Sequence, residues 1–226
     1  MGIRATAVLF LGGCNLVFGV EPVPSTDALA ASDAASCTPL LSNFDDFDTV
    51  RASPCSWGYL TQSSCAAVIE NGVLAMTPDA AAPESVCICG TNSPLVFTST
   101  FGTMVEVDQI GQKVGEYTQF SARDSAGSAT WHIRYQPGNT ALSFQRGMSS
   151  LGAVPWDPTL RWWRIRPDSA GTAVLGEVSA DGKQWTQIAA DAVTPPASIE
   201  MSFHEGTFLA LPMPSTARLA SINVCP

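Results

Sequence analysis

The amino-acid sequence predicts an all-β protein, built as an antiparallel sandwich or barrel. Apolar and polar residues alternate over several short runs, as at Trp131, Ile133 and Tyr135, and this period of two is typical of half-buried strands. Turn-forming segments such as Pro137-Gly138-Asn139 separate runs that recur at spacings near ten residues. No apolar stripe of helical period follows Cys37.

Four runs carry the strand prediction in chain order. Each run places its apolar residues on one face and its polar residues on the other. The runs are 130–135, 142–145, 162–166 and 199–204, with Asp- or Gly-containing turns at 124–127, 168–171 and 181–182 between or beside them.

A tight hairpin is predicted at Asp181-Gly182. Asp-Gly is typical of a two-residue type I′ turn, in which both positions need a positive φ. We expect Ser179 to bond backbone groups of this turn. Successive side chains of a strand point to opposite faces, so counting on from such a hairpin places Trp185 toward the interior of the domain, with Ile133 and Val174.

The first residues predict export. Arg4 precedes the apolar run 5–10, as in a secretory leader, and Leu11-Gly12-Gly13-Cys14 resembles a bacterial lipobox. The resemblance implies cleavage before Cys14, a lipid on its thiol and a location in the cell envelope. Asn15 after the cysteine points, by the same resemblance, to the outer membrane.

The chain therefore divides into three predicted parts. Residues 1–13 form the lipoprotein signal peptide. Residues 14–36 hold Pro22, Pro24 and a tract rich in Ala, Ser and Asp that has little apolar mass to bury, so we expect a flexible tether. Residues 37–226 form the β-sandwich domain, and the expected membrane contact is the lipid anchor.

The cysteine count fits this division. Of seven cysteines, lipidation of the first leaves an even number for disulfides in an oxidising compartment. Cys87 and Cys89 are too close in one strand to pair with each other, so each should reach back to Cys55 or Cys65, and which pairs with which stays open.

The overall charge argues against nucleic acid as a partner. The net charge is −9, and only Arg161, Arg164 and Arg166 form a basic cluster. A protein that binds nucleic acid needs many clustered cations against the phosphate backbone. We expect these arginines to pair with carboxylates across strands.

Three segments resemble concanavalin-A-like, laminin-G-like jelly rolls. Phe44-Asp45-Asp46-Phe47-Asp48 resembles the opening strand of that family, residues 161–166 with 172–175 resemble its central hairpin, and residues 179–185 its next hairpin turn. The resemblance covers roughly residues 40 to 224. It implies a two-sheet antiparallel sandwich whose first and last strands lie side by side, and hence a Cys37–Cys225 disulfide that closes the domain.

The family resemblance raises the question of catalysis. Laminarinase-like members use a strand motif Glu-x-Asp-x-x-Glu, whose carboxylates perform retaining glycoside hydrolysis. Glu106 and Asp108 match its first two positions, but Gly111 stands where the acid/base glutamate belongs, and Glu116 follows too late. Without a proton donor the leaving group is not protonated, so no catalytic residue and no enzyme activity are predicted.

No cofactor is predicted, and calcium is kept as a lesser alternative. Asp45, Asp46 and Asp48 offer oxygens of the kind that calcium binds, but they alternate along a strand instead of curling in a loop. Two histidines without nearby acids are too few for a transition-metal site.

The predicted function is that of an envelope-anchored, non-catalytic binding module for a glycan or another envelope polymer. Polar and aromatic side chains on one sheet face would make the contacts. The candidate ligand-binding residues are His132, Arg134, Gln145, Trp156, Arg164 and His204. The alternatives are a structural envelope protein without a small ligand, and a glycoside hydrolase that uses Glu106 and Asp108.

Overall fold

The structure is a computed structural model that describes residues 45–48, 54–55, 58–63, 65–80, 84–100, 102–127 and 129–224. Within these ranges the chain forms fifteen β-strands, and none of the described residues is helical. The strands are β1 (Gly58–Ser63), β2 (Cys65–Glu70), β3 (Val73–Pro78), β4 (Val86–Thr91), β5 (Leu95–Val96), β6 (Thr103–Gln109), β7 (Glu116–Asp124), β8 (Thr130–Tyr135), β9 (Ala141–Arg146), β10 (Ser149–Pro155), β11 (Trp162–Pro167), β12 (Val174–Ser179), β13 (Thr186–Asp191), β14 (Ser198–Thr207) and β15 (Ala217–Ile222).

Two antiparallel sheets form the predicted sandwich. The front sheet has the strand order β1-β4-β14-β7-β8-β9-β10, with β5 also paired to β14, and the back sheet has the order β13-β12-β11-β6-β15-β3-β2. Neighbours that are distant in sequence, such as β4 and β14, show that the connections cross between the sheets. The prediction of an all-β, two-sheet antiparallel sandwich is confirmed.

The core lies between the sheets and holds the apolar residues of each alternating run. Trp131 and Ile133 of β8 contact it from the front sheet, and Trp163 and Ile165 of β11 from the back sheet, all at most 2% exposed. Burying one such side chain stabilises the fold by about 1.5–3 kcal/mol. The alternation seen in the sequence therefore corresponds to one buried and one outward-facing side of each of these strands.

The N-terminal segment of the domain meets its last strand. The backbone groups of Asp45 and Ile222 exchange two hydrogen bonds, of 3.0 and 2.9 Å. The first and last described segments are thus adjacent, as the family resemblance implies. Cys14, Cys37 and Cys225 lie outside the described residues, as do the predicted signal peptide and tether, so the lipidation site and the Cys37–Cys225 bond remain predictions.

Two disulfides fasten the beginning of the domain to β4. Cys89 is bonded to Cys55, and Cys87 is bonded to Cys65 at the start of β2. Both β4 cysteines face the core because they are two residues apart in one strand.

The connection between β12 and β13 differs from the predicted two-residue turn. It spans residues 180–185, and of the two predicted turn residues only Gly182 has a positive φ, 71°. The Asp181 carboxylate accepts the N–H groups of Lys183 and Gln184, which widens the loop. The Ser179 hydroxyl does accept the backbone N–H of Gly182, at 2.9 Å, as expected.

Trp185 consequently faces away from the core. Its ring lies against the guanidinium of Arg164, with 4.0 Å between the Arg164 Cζ and the ring centroid, on the outer face of the back sheet. The prediction that Trp185 points inward is wrong because the longer loop shifts the residues that follow it to the opposite face from the one predicted. No helix long and apolar enough to span a membrane occurs in the ranges that the structure describes.

Candidate functional site

The outer face of the front sheet gathers polar side chains from four adjacent strands. The registers of β14, β7, β8 and β9 align them in two rows, because neighbouring strands place opposite residues side by side. We call these eight residues the polar face: Ser202, Ser121, His132 and Gln145 in one row, and His204, Gln119, Arg134 and Ser143 in the other.

Hydrogen bonds connect residues within the first row and between the two rows. The Ser121 hydroxyl lies 2.9 Å from the Nδ1 atom of His132, and the Gln119 amide donates to the same hydroxyl at 2.9 Å. On the adjacent strand the Ser202 hydroxyl is 2.7 Å from the Nε2 atom of His204. Each imidazole therefore has a neutral hydroxyl as its described partner.

Both imidazoles are uncharged at neutral pH. Burial lowers the pKa of His132 to about 4 because desolvation disfavours the imidazolium form, and the nearby Arg134 cation lowers it further. The pKa of His204 falls to about 3 for the same reason, with added repulsion from His132 and Arg134. With pKa values this low both imidazoles are weak bases, so at neutral pH they can form hydrogen bonds with a bound molecule without taking up its proton.

Arg134 is held by aromatic rings. Its Cζ atom lies 4.7 Å from the centroid of the Tyr117 ring and 5.5 Å from that of Phe208, within range of cation–π attraction. Tyr117 can lie there because Gly206 on β14 has no side chain: a Cβ at that position would be 2.6 Å from the Tyr117 ring. Gly206 thus makes room for the aromatic support of the guanidinium.

Two buried polar atoms of this face lack a hydrogen-bond partner. They are the Gln119 Oε1 acceptor and the Arg134 Nε donor, which lie in adjacent positions of the second row. Gln119 is only 4% exposed. Buried polar groups normally have a partner, so among the described residues each of these two atoms has a hydrogen-bonding position that is not used, although neither atom is exposed at the surface.

The structure brings together four of the six predicted ligand-binding residues. His132, Arg134, Gln145 and His204 all lie on the polar face, as predicted. Residues of the same face that the sequence did not identify include Gln119 and Ser121.

Arg164 lies elsewhere, on the outer face of the back sheet. Its Nε atom donates to the Glu177 carboxylate at 2.7 Å, and the Nε atom of Arg166 donates to the same oxygen at 2.9 Å. All three residues are largely buried. Arg164 is therefore removed from the candidate site, and its expected cross-strand pairing with a carboxylate is confirmed.

Trp156 also lies apart from the polar face, beside a cavity of about 360 Å³. Its ring packs against Tyr135, with centroids 5.0 Å apart, and meets the Trp163 ring edge-on. The cavity wall includes Asp108 and Gly111. We call this space the Asp108 cavity.

The carboxylates of Glu106 and Asp108 lie close together. The Arg161 Nη2 atom is 3.0 Å from Glu106 Oε1 and 3.2 Å from Asp108 Oδ1. The two oxygens cannot be farther apart than the sum of these distances, which is compatible with the carboxyl spacing of about 5–5.5 Å in retaining glycosidases.

Carboxylates from other strands lie behind Gly111. A Cβ at that position would be 2.4 Å from Glu205 Oε1 and 3.1 Å from Glu116 Oε2. Burial raises the pKa of Glu205 well above its ordinary value, and the neighbouring Glu116 adds to the effect. Both side chains are at most 1% exposed, so they have no direct access to a ligand.

The aspartates proposed as calcium ligands form local turns. The Asp45 carboxylate accepts the Phe47 N–H at 2.9 Å, and the Asp46 carboxylate accepts the Asp48 N–H at 3.3 Å. Within the described part of the chain, no group of three or more His, Cys, Asp or Glu residues is arranged to hold a metal ion.

Comparison with known proteins identifies the fold. Neither the protein-family models nor the curated protein sequences match the chain. Among solved structures, the Crh5 transglycosylase is 13% identical with a TM-score of 0.59, and the match covers 84% of this chain and 88% of that chain. The non-specific endo-β-1,3(4)-glucanase SCLam from family GH16 is 10% identical with a TM-score of 0.57, covering 79% and 88%. A legume lectin-like domain from Entamoeba histolytica is 10% identical with a TM-score of 0.53, covering 72% and 87%.

These comparisons contradict two predictions. The chain was predicted to be a non-catalytic binding module and not an enzyme, whereas the structural neighbours are mostly glucanases and transglycosylases. One missing acid in a strand motif does not exclude catalysis, because residues distant in sequence can supply the same chemical group. What the similarity establishes at these identities is the fold: the chain has the concanavalin-A-like jelly-roll fold that its sequence motifs resemble.

Proposed function

We propose that the protein is an enzyme that cleaves or transfers glycosidic bonds, a glycoside hydrolase or transglycosylase, in a polysaccharide bound across the polar face. The observation that carries this proposal is the pair of buried, unpartnered atoms, Gln119 Oε1 and Arg134 Nε. Hydroxyl and ring oxygens of a sugar would supply both missing hydrogen bonds, and the aromatic rings of Tyr117 and Phe208 border the same place.

The neighbours suggest which substrates to test first. One is named as an endo-β-1,3(4)-glucanase, and another is a transglycosylase described in complex with NAG. We therefore take β-1,3-glucan, mixed-linkage β-glucan and oligosaccharides of N-acetylglucosamine as the first substrates. The enzyme would work in the cell envelope, anchored by lipid on Cys14.

His132 is a hydrogen-bonding group of the polar face that can orient a bound sugar. It is neutral at pH 7, and its Nδ1 atom is held by the Ser121 hydroxyl, which leaves the Nε2 atom to meet a ligand. With a pKa of about 4, His132 holds no proton to donate at pH 7 and is a weak base, so its contribution is a hydrogen bond to the bound sugar, worth about tenfold.

A second candidate site is the carboxylate pair of Glu106 and Asp108, of which Asp108 lines the Asp108 cavity and Glu106 does not. The carboxylates of Glu106 and Asp108, joined by Arg161, have the proximity that two-carboxylate hydrolysis needs, and Trp156 and Tyr135 offer ring faces for stacking against a sugar. This site corresponds to the strand motif noted in the sequence.

One experiment tests the enzyme proposal and separates the two sites. The release of reducing ends and the formation of transfer products are measured for the wild type, His132→Gln and Glu106→Gln. Glu70→Gln serves as the control, because Glu70 forms an ion pair with Arg218 and belongs neither to the polar face nor to the lining of the Asp108 cavity.

We expect turnover in the wild type and in Glu70→Gln, and a loss of about tenfold in His132→Gln, the size for one hydrogen bond. Loss in Glu106→Gln alone would move catalysis to the Asp108 cavity. A folded wild type that turned over none of the polysaccharides, with no transfer product, would refute the proposal.

A further inference from the structure

Arg134 differs from most arginines of this protein in its partners. Five others each have a guanidinium nitrogen within 3.5 Å of a carboxylate oxygen: Arg146, Arg161, Arg164, Arg166 and Arg218. Among the described residues, no acidic side chain forms an ion pair with Arg134, and its contacts are the rings of Tyr117 and Phe208. In a chain with a net charge of −9, a half-buried cation without an acid is an unusual arrangement.

The surroundings of Arg134 do not neutralise its charge. The opposite residues in its row are Gln119 on β7 and Ser143 on β9, and His204 lies one strand farther along. All three are uncharged. A charge that is partly removed from water is costly unless it is paired, so an anion bound beside Arg134 would be stabilised more here than at an arginine that already has a carboxylate.

The same position also requires a hydroxyl donor. Gln119 Oε1, next to the guanidinium in the row, is a buried acceptor without a donor. A ligand that satisfies both residues must carry an anionic oxygen for Arg134 and a hydroxyl group for Gln119. An acidic sugar has both groups on one ring.

We propose that the polar face binds an anionic polysaccharide, with Arg134 paired to a carboxylate or sulfate of the sugar and Gln119 accepting a neighbouring hydroxyl. This inference rests on the proposed function in taking a glycan as the ligand, and it adds the charge class of that glycan. A planar guanidinium suits both anions, since it can donate two parallel hydrogen bonds.

Binding is measured directly, without turnover, by affinity electrophoresis and titration calorimetry at low and high salt. The probes are polygalacturonate as a carboxylate polymer, dextran sulfate as a sulfate polymer and unmodified dextran as the neutral match. The variants are Arg134→Gln, Arg134→Lys and Lys183→Gln, the last making the same change of charge at an exposed loop position. Thermal melting checks that each variant is folded.

We expect the wild type and Lys183→Gln to bind at least one of the two anionic polymers and not dextran. Arg134→Gln should lose about tenfold or more in affinity, the range for a hydrogen bond to a charged group. Arg134→Lys should retain part of the affinity, which shows that the loss in Arg134→Gln is not a loss of the fold. Binding should weaken as salt rises. The preferred polymer identifies the anion as carboxylate or sulfate.

Equal binding of dextran, or an Arg134→Gln variant that binds as the wild type does, would overturn the inference. The outcome is separable from that of the proposed function. Binding of an anionic polymer without turnover of any polysaccharide would support this inference and refute the enzyme. Turnover of neutral β-glucan without binding of either anion would do the reverse.

Discussion

The free energy of unfolding should depend on pH because burial keeps His132 uncharged in the folded protein. Its pKa is lowered from 6.5 to about 4 in the folded protein, whereas in the unfolded chain it returns to the ordinary value. A lowered histidine pKa contributes stability that is present above pH 6.5 and is lost as the pH falls toward the folded-state pKa. Between these values the unfolded state binds a proton that the folded state does not.

The magnitude follows from the shift. Each unit of pKa difference corresponds to about 1.4 kcal/mol. Lowering the pH from 6.5 to about 4 should therefore lower the free energy of unfolding by about 3 kcal/mol. This is a large share of the roughly 5–15 kcal/mol by which proteins of this kind are stable. His132→Gln keeps a polar group next to Ser121 and removes the titration.

The assay is the urea midpoint and slope of the wild type, His132→Gln and a control, Ser143→Ala, at several pH values from 7 to 4. The wild type and Ser143→Ala should lose stability relative to His132→Gln as the pH falls below 6.5. Carboxylate titration is common to all three proteins and cancels in the difference. Parallel curves for the wild type and His132→Gln would refute a buried, neutral His132.

Three further results are expected. Glu177→Ala should lower the unfolding free energy by about 3–5 kcal/mol in urea titration, because it leaves the guanidinium of Arg164 buried without its carboxylate; a change under 1 kcal/mol would contradict this. Gly176→Ala should destabilise the sandwich by about 1–3 kcal/mol, since the new Cβ would lie 2.3 Å from the Phe144 ring, and an unchanged melting temperature would show that the ring can move. Glu205→Gln should gain stability relative to the wild type as the pH rises above about 4.3. Above that pH the Glu205 carboxyl ionises in the unfolded chain, whereas in the folded protein its raised pKa keeps it protonated. A stability difference that does not change with pH would contradict the raised pKa.

Part of the candidate site could be predicted from the sequence because strand alternation is a local property. His132 and His204 were assigned to polar strand faces from the residues on either side of them, and both lie on the polar face. Gln119 and Ser121 alternate with Phe120 and Ala122 in the same way, so the local signal for a strand was present there too. The alternation does not show that both polar side chains are at most 4% exposed, because burial of the outer face of β7 depends on tertiary contacts.

The sequence by itself determined the class of fold and the buried side of the main strands. Trp131, Ile133, Phe144 and Trp163 are all in the core, as their alternation predicts. The physical reason is that the two faces of a strand are set by the backbone within a few residues, and burial of apolar surface then selects the inner face.

Only the tertiary structure decided which strands became neighbours. Arg134 and Arg164 are equivalent by sequence, each on the polar side of an alternating run, yet Arg134 lies on the front sheet without a described acid and Arg164 pairs with Glu177 on the back sheet. Strand order depends on contacts between segments far apart in the chain, and no local pattern encodes it. The same contacts place Glu205 behind Gly111, a proximity across about 90 residues of sequence that only the packing of the two sheets brings about.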